Sequence, residues 1–235
     1  MTDGFVNYHE CDTNQMLFPP TKKTSDTYVK SQIRYAIDGL GAPRPLVIMS
    51  PANLGHYGIG AYSKNVAQNH NLAVPLYQNS TDEHVIAFRQ KLQNMDAKIQ
   101  EEALNFFGSE KRQAEYRYSP MLYMKENVSG GDDIPIAKFW IEKNKDGSFD
   151  VEIYDNTTRP RKLLYPNKDA PHDDPNKYLP HGSRVRLMFL IKEFWVNKST
   201  KTYGVKLYLK SVLVNPPAIQ ESPAKGVCPF PEDDA

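Results

Sequence analysis

Apolar and polar positions alternate most sharply between Gly182 and Val214, GSRVRLMFLIKEFWVNKSTKTYGVKLYLKSVLV, a run dense in Val, Leu, Phe, Tyr and Trp and free of proline. The pattern predicts two strands, about Arg184–Val196 and about Thr202–Val214, joined by a polar turn over Asn197–Lys201. In the second strand Tyr203, Val205, Leu207, Leu209 and Leu213 fall on one face, and Lys206, Tyr208 and Lys210 on the other. One face is therefore core, and the opposite face is lysine–tyrosine–lysine. The first strand alternates less cleanly, with Arg186, Met188 and Leu190 against Leu187, Phe189 and Ile191. Continued without interruption, it places Phe194 outward with Arg186 and Lys192, and Trp195 inward. A bulge would exchange the two rings.

A helical period governs Ser80–Phe107. Val85, Phe88, Leu92, Met95, Ile99, Ala103 and Phe106 recur at steps of three and four, Ser80 with Glu83 forms a capping box, and Gly108 stops the run. Such a stripe is a packing face. From Tyr116 the chain reads as strands: Met121–Lys125, Ile136–Glu142 and Phe149–Tyr154, with turns at 129–133 and Asn144–Gly147. Lys138, Trp140 and Glu142 oppose Ala137, Phe139 and Ile141; Asp150, Glu152 and Tyr154 oppose Phe149, Val151 and Ile153. A proline-rich connection, Asp155–His181, leads to the opening pair and reads as a loop. Before the helix come an irregular arm over 1–27, an ambiguous Tyr28–Ile37, a buried strand at Leu46–Met49 and a glycine-rich turn over 51–65 that fails the phosphate-loop patterns. The expected class is mainly β with embellishing helices (α+β): a five-stranded OB-fold Greek-key barrel over about 116–214 plus a long amphipathic helix over about 80–107. One domain is expected over 1–218, with a flexible acidic tail over 219–235.

Charge changes the picture only when read locally. The whole chain of 235 residues carries a formal net charge of +1, which selects no partner. Residues 156–214 carry twelve basic and four acidic side chains, interleaved with Tyr165, Tyr178, Phe194, Trp195, Tyr203 and Tyr208. Cations with flat rings on one sheet face suit a single strand of nucleic acid, phosphates on the former and bases on the latter. The expected phosphate track is Arg159, Arg161, Lys162, Arg186, Lys192, Lys206 and Lys210; the expected stacking rings are Trp140, Tyr154, Tyr208 and either Phe194 or Trp195. Phe230 with Glu232, Asp233 and Asp234 makes an acidic tip, expected to compete for the basic face or to dock on replication proteins.

Other classes have weaker signals. Asp150 and Glu152 share a strand face, as in a metal-dependent nuclease, but without a lysine in nuclease spacing. His172-Asp-Asp174 lacks a spaced second histidine for a metal site. The helix stripe could serve a virion or assembly interface instead of the core. No catalytic residue, metal or cofactor is expected. No stretch of eighteen apolar residues and no secretory leader is present, and Cys11 and Cys228 are the only cysteines, so a reducing intracellular setting without membrane association is expected.

Three segments carry a resemblance: Tyr118-Ser-Pro-Met-Leu-Tyr123, His181-Gly-Ser-Arg-Val185, and Phe194-Trp-Val-Asn197 followed by Tyr203-Gly-Val-Lys-Leu-Tyr208. Together, over about Tyr116–Val214, they resemble the single-stranded DNA-binding proteins of nucleocytoplasmic large DNA viruses, related to a phage-replication type. The resemblance implies an OB-fold, non-sequence-specific coating of single-stranded DNA during replication, recombination or repair, an acidic tail, and no catalysis. Replication proteins are the partners expected with it at the tail, at a host-cell replication site in cytoplasm or nucleus or in the virion; RNA as a second ligand and a homo-oligomer are left open by the sequence.

Overall fold

The computed structural model describes residues 5–20, 22–36, 42–61, 70–127, 130–167, 169–170 and 173–215. In chain order the elements that build the site are strands β1 (Tyr28–Gln32), β2 (Arg44–Met49) and β3 (His70–Pro75), helix α1 (Glu83–Phe107), and strands β4 (Arg117–Ser119), β5 (Leu122–Lys125), β6 (Ile134–Ile141), β7 (Glu152–Asp155), β8 (Lys162–Tyr165), β9 (Arg184–Asn197) and β10 (Thr202–Asn215). The class is mainly β with one long helix, an α+β arrangement around a large mixed sheet.

The β9–β10 hairpin is the spine of that sheet. Its turn is made as the sequence suggests: Asn197 Oδ1 accepts from the backbone N–H of Ser199 and Thr200, at 3.0 and 3.2 Å. One edge of β10 is covered in succession by three parallel strands, β4 against Thr202–Gly204, β6 against Leu207–Tyr208 and β7 against Ser211–Val214. The free edge of β9 is covered by antiparallel β1 and then β2. Strands β3 and β5 add to β6, both antiparallel. Among the larger strands the spatial order is therefore β2-β9-β10-β6-β3.

This corrects the expected roles of several segments. The N-terminal part is not an embellishment beside five C-terminal strands, because β1 and β2 pair directly with the hairpin and β3 with β6. The arm is not irregular throughout either. Tyr8, Cys11 and Met16 are buried, Tyr8 lies edge-on to Phe88 at 5.6 Å, and Lys91 Nζ donates to the Cys11 carbonyl at 2.7 Å. The expected third strand begins only at Glu152, and the proline-rich connection contains β8, paired with β7, and a short 3-10 turn at Pro175–Tyr178.

Helix α1 lays its stripe on the inner face of the hairpin. Phe88 meets Phe189 at 6.0 Å, Phe106 meets Phe194 at 5.8 Å and Phe107 meets Tyr203 at 5.2 Å, all edge-to-face. Each such ring, fully buried, contributes about 1.5–3 kcal/mol from area alone. Phe107, not Phe106, is the deeper of the last pair. The N-cap is Asp82, which accepts from His84 and Val85 N–H, in place of the expected Ser80; Gly108 ends the helix in the left-handed region at φ 74°. One polar side chain interrupts the stripe: Asp96, buried, accepts from the Tyr118 hydroxyl and the Met121 N–H and so ties the helix to the β4–β5 connection.

Two bulges in the hairpin decide which residues face outward. Lys192 and Glu193 together oppose Lys206, and Lys210 is an extra residue between the pairs Phe189–Leu209 and Met188–Ser211. Each inserted residue reverses the alternation beyond it. Phe194 is therefore inward, 3% exposed, and Trp195 is outward, the reverse of uninterrupted alternation. Leu213, expected inward, faces out beside Arg186, while Val212 and Val214 are core.

Candidate nucleic-acid interface

The outward face of the hairpin and its neighbours divides into three zones. At the turn end lies a cleft of about 360 Å³. Its walls bring together Tyr28 of β1, Tyr123 of β5, Lys138 and Trp140 of β6, Trp195 of β9 and Lys206 of β10. Counting Ser119 of β4, six strands drawn from the N-terminal, middle and C-terminal parts of the chain thus converge. Tyr28 and Trp195 lie parallel, 6° between planes and 6.3 Å between centroids. The Trp195 indole N–H is covered and has no hydrogen-bond partner. Lys206 Nζ sits 5.2 Å from the Trp140 centroid and Lys138 Nζ 4.2 Å from that of Tyr123. Burial lowers the pKa of Lys138 and of Lys206; for Lys206 the carboxylates of Glu193 and Glu142 act in the opposite direction. These are cations partly stripped of water beside aromatic faces, a state in which an added anion gains more than in bulk solvent.

The middle zone is neutralised. Lys192 Nζ binds Glu142 at 3.1 Å, Lys210 Nζ binds Asp150 at 2.7 Å, and Lys30 Nζ binds Glu193 at 3.0 Å. Tyr208 is 7% exposed, with its hydroxyl 3.3 Å from Glu193 and Lys192 above its ring at 5.1 Å. Burial, then Glu193 and Glu142, hold its phenol far above the usual range. The expected stacking role of Tyr208 and the free-cation roles of Lys192 and Lys210 do not fit this arrangement. The carboxylates that compensate the basic stretch 156–214 are Glu142 and Asp150, which precede it in the chain, and Glu193 within it, brought outward by the bulge.

At the far end a second cavity, about 580 Å³, is lined by Tyr154, Arg161 and Arg186 over a floor that includes Val47, Met49, Met188 and Leu213. Tyr154 donates to Glu152 at 2.9 Å, and Arg186 Nε donates to the Ser50 carbonyl at 3.1 Å. Arg159 and Lys162 are exposed on the β7–β8 hairpin, Arg159 donating to the carbonyls of Asn156 and Thr158. The expected set is thus split between the two ends of the face: Trp140 and Lys206 at one, Tyr154, Arg159, Arg161, Lys162 and Arg186 at the other. Phe194 is in the core against Phe106. Phe230, Glu232, Asp233 and Asp234, with all of 216–235, lie outside the described residues, as do Lys168 and His172.

Sequence reasoning missed Tyr28, Tyr123, Lys138 and Trp195 as members of one cleft. Trp195 carried a signal through the bulge alternative and Lys138 through the strand face it shares with Trp140; Tyr28 sits on a strand whose partner β9 is remote in the chain, and Tyr123 on β5, beside β6. It also missed a serine–histidine pair. His56 Nε2 lies 2.8 Å from Ser183 Oγ, and His56 Nδ1 accepts the Gly58 N–H at 3.0 Å. With Nδ1 an acceptor, the proton of a neutral ring is on Nε2 and is donated to Ser183, so His56 is not placed to take the serine proton. Burial lowers the His56 pKa and keeps the ring neutral. Asp150 and Glu152, the carboxylates of the nuclease alternative, line different cavities. Among the described residues no group of three or more His, Cys, Asp or Glu is arranged to hold a metal ion, and no helix is long and apolar enough to cross a membrane. Neither a protein-family model nor a curated protein matches the chain.

Proposed function

We propose that the chain binds single-stranded nucleic acid, without sequence preference and without catalysis, through the cleft between Tyr28, Tyr123, Trp140 and Trp195. The observation that carries this is the pairing of rings with lysines in that cleft: Lys206 over Trp140 and Lys138 over Tyr123. Rings accept any base by stacking and lysines accept any phosphate, so this chemistry reads no sequence. Two of the three segments that resemble viral single-stranded DNA-binding proteins meet here. Ser119, Pro120, Met121 and Tyr123 come from the first; Trp195, Asn197, Val205, Lys206 and Leu207 come from the third. The strand order supports an OB-type reading as well. Numbered along the chain, β2, β3, β6, β9 and β10 lie in the spatial order first, fourth, fifth, third, second, a Greek-key arrangement; its first two strands are then β2 and β3, not the β5 strand read from the sequence.

Titration of labelled single-stranded DNA, duplex DNA and RNA oligomers, with and without Mg²⁺, tests the proposal. The expected result is length-dependent binding of single strands that weakens steeply with salt, with no cleavage. No binding of single strands at low salt overturns it, and Mg²⁺-dependent cleavage moves the chain to the nuclease class.

A further inference from the structure

Resting on the single-strand reading, we propose that the bound strand runs across the sheet, from Trp140 over Tyr123 and Tyr57 to Tyr77, and not along the β9–β10 hairpin. Along the hairpin the stations after Lys206 are closed to a polyanion. Tyr208 is buried, Lys192 and Lys210 are engaged by Glu142 and Asp150, and Glu193 faces outward between them. A phosphate backbone on that route meets three carboxylates in succession.

Across the sheet the same unit repeats, a ring with a lysine above it. Lys206 covers Trp140 at 5.2 Å. Lys138, two residues before Trp140 on β6 and on the same face, covers Tyr123 of β5 at 4.2 Å. Lys125, two residues after Tyr123, covers Tyr57 at 5.3 Å, and the Tyr57 hydroxyl lies 3.2 Å from that of Tyr77. The tyrosine rings are half open to solvent: Tyr57 50%, Tyr77 43% and Tyr123 50%. A cation–π contact at an exposed ring contributes little by itself, so an incoming nucleotide can set its phosphate beside the lysine and its base on the ring face. Beyond Tyr77 the track ends, because Asp132 and Asp133 line the adjoining cavity. Four aromatic stations, Trp140 and Tyr123 on the adjacent strands β6 and β5 and Tyr57 and Tyr77 on the connections beside β3, match a strand of several nucleotides, at the small end of the usual range for one such module.

The experiment uses the full chain and two oligothymidylates, one of about 5 nucleotides and one of about 20, followed by fluorescence anisotropy. The Y57A/Y77A double variant is expected to keep wild-type affinity for the short oligomer, which the Trp140 cleft accommodates, and to lose at least about fivefold on the long one. W140A is expected to lose affinity for both. Y57F/Y77F keeps the rings and is expected to bind as wild type. Because both tyrosines are exposed, thermal unfolding of the variants should match wild type, which makes the comparison one of binding alone. If Y57A/Y77A binds the long oligomer as wild type while W140A is impaired, the crosswise track is wrong and the binding function stands. If Y57F/Y77F is as weak as Y57A/Y77A, stacking on these rings is wrong. If wild type binds neither oligomer at low salt, the function itself falls.

Discussion

Raising the pH from about 4 to about 7 is expected to weaken the fold through one carboxyl group, Asp96. It sits in the apolar stripe of α1, 7% exposed. Its Oδ1 accepts the Tyr118 hydroxyl at 2.5 Å, and both oxygens accept the Met121 N–H at 3.1 Å. Loss of water raises its pKa from 3.8 to about 6; the hydrogen bonds from Tyr118 and Met121 pull the other way and do not compensate. The folded chain thus holds this proton more tightly than the unfolded chain. The contribution is fully present below the unfolded pKa and is lost as pH rises through the folded one. A shift of about two units corresponds to about 3 kcal/mol, a large share of the roughly 5–15 kcal/mol that holds a domain together. Urea unfolding followed by tryptophan fluorescence at several pH values, for wild type and Asp96→Asn, isolates the effect. Asparagine keeps a carbonyl acceptor for Tyr118 and Met121 and does not titrate. The stability difference, wild type minus variant, should fall by about 2 kcal/mol between about pH 4 and pH 7. A difference that is flat, or that rises with pH, refutes the reasoning and means that the hydrogen bonds outweigh the desolvation.

The hairpin bulge predicts opposite phenotypes for adjacent rings. Phe194→Ala should cost about 3–5 kcal/mol of stability and leave oligomer affinity unchanged where the protein is folded, whereas Trp195→Ala should cost less stability and lose affinity; thermal melting beside anisotropy titration checks both, and the reverse pattern would put the bulge elsewhere. Gly204→Ala should lower stability by roughly 1–3 kcal/mol. A Cβ there would stand 2.6 Å from the Ser119 carbonyl oxygen, so β4 must move off β10. An unchanged melting temperature would mean that the two strands are not held so close.

Much of the architecture is legible locally. The Asn197 turn, the helix stripe and the alternation of the first half of β9 and of β10 each depend on residues a few positions apart, and all appear where those residues put them. Gly204 is also readable in part, since a glycine inside a strand marks a close backbone approach. Of the N-terminal strands, β2 was legible as the short apolar run Leu46–Met49, but its place in the sheet was not, and β1 stayed ambiguous. What places both is hydrogen bonding to β9 over more than a hundred residues of chain. Nothing in Tyr28–Gln32 alone announces that partner.

The site follows the same division. That one face of the hairpin is apolar and the other carries lysines and aromatic rings is a property of period-two alternation, and the chain order alone sets it. Which aromatic faces outward, and which lysines are paired with Glu142, Asp150 and Glu193, was decided by two inserted residues and by strands folded in from elsewhere. Glu193 turns outward only because Lys192 and Glu193 share one partner position opposite Lys206. Glu142 and Asp150 reach Lys192 and Lys210 only because β6 and the β6–β7 turn lie beside β10. Alternation is a one-residue rule, whereas pairing register and charge compensation are energies between segments far apart in the chain. Side-chain periodicity therefore sets what each face is made of, and tertiary contact alone decides which part of that face is left open to a ligand.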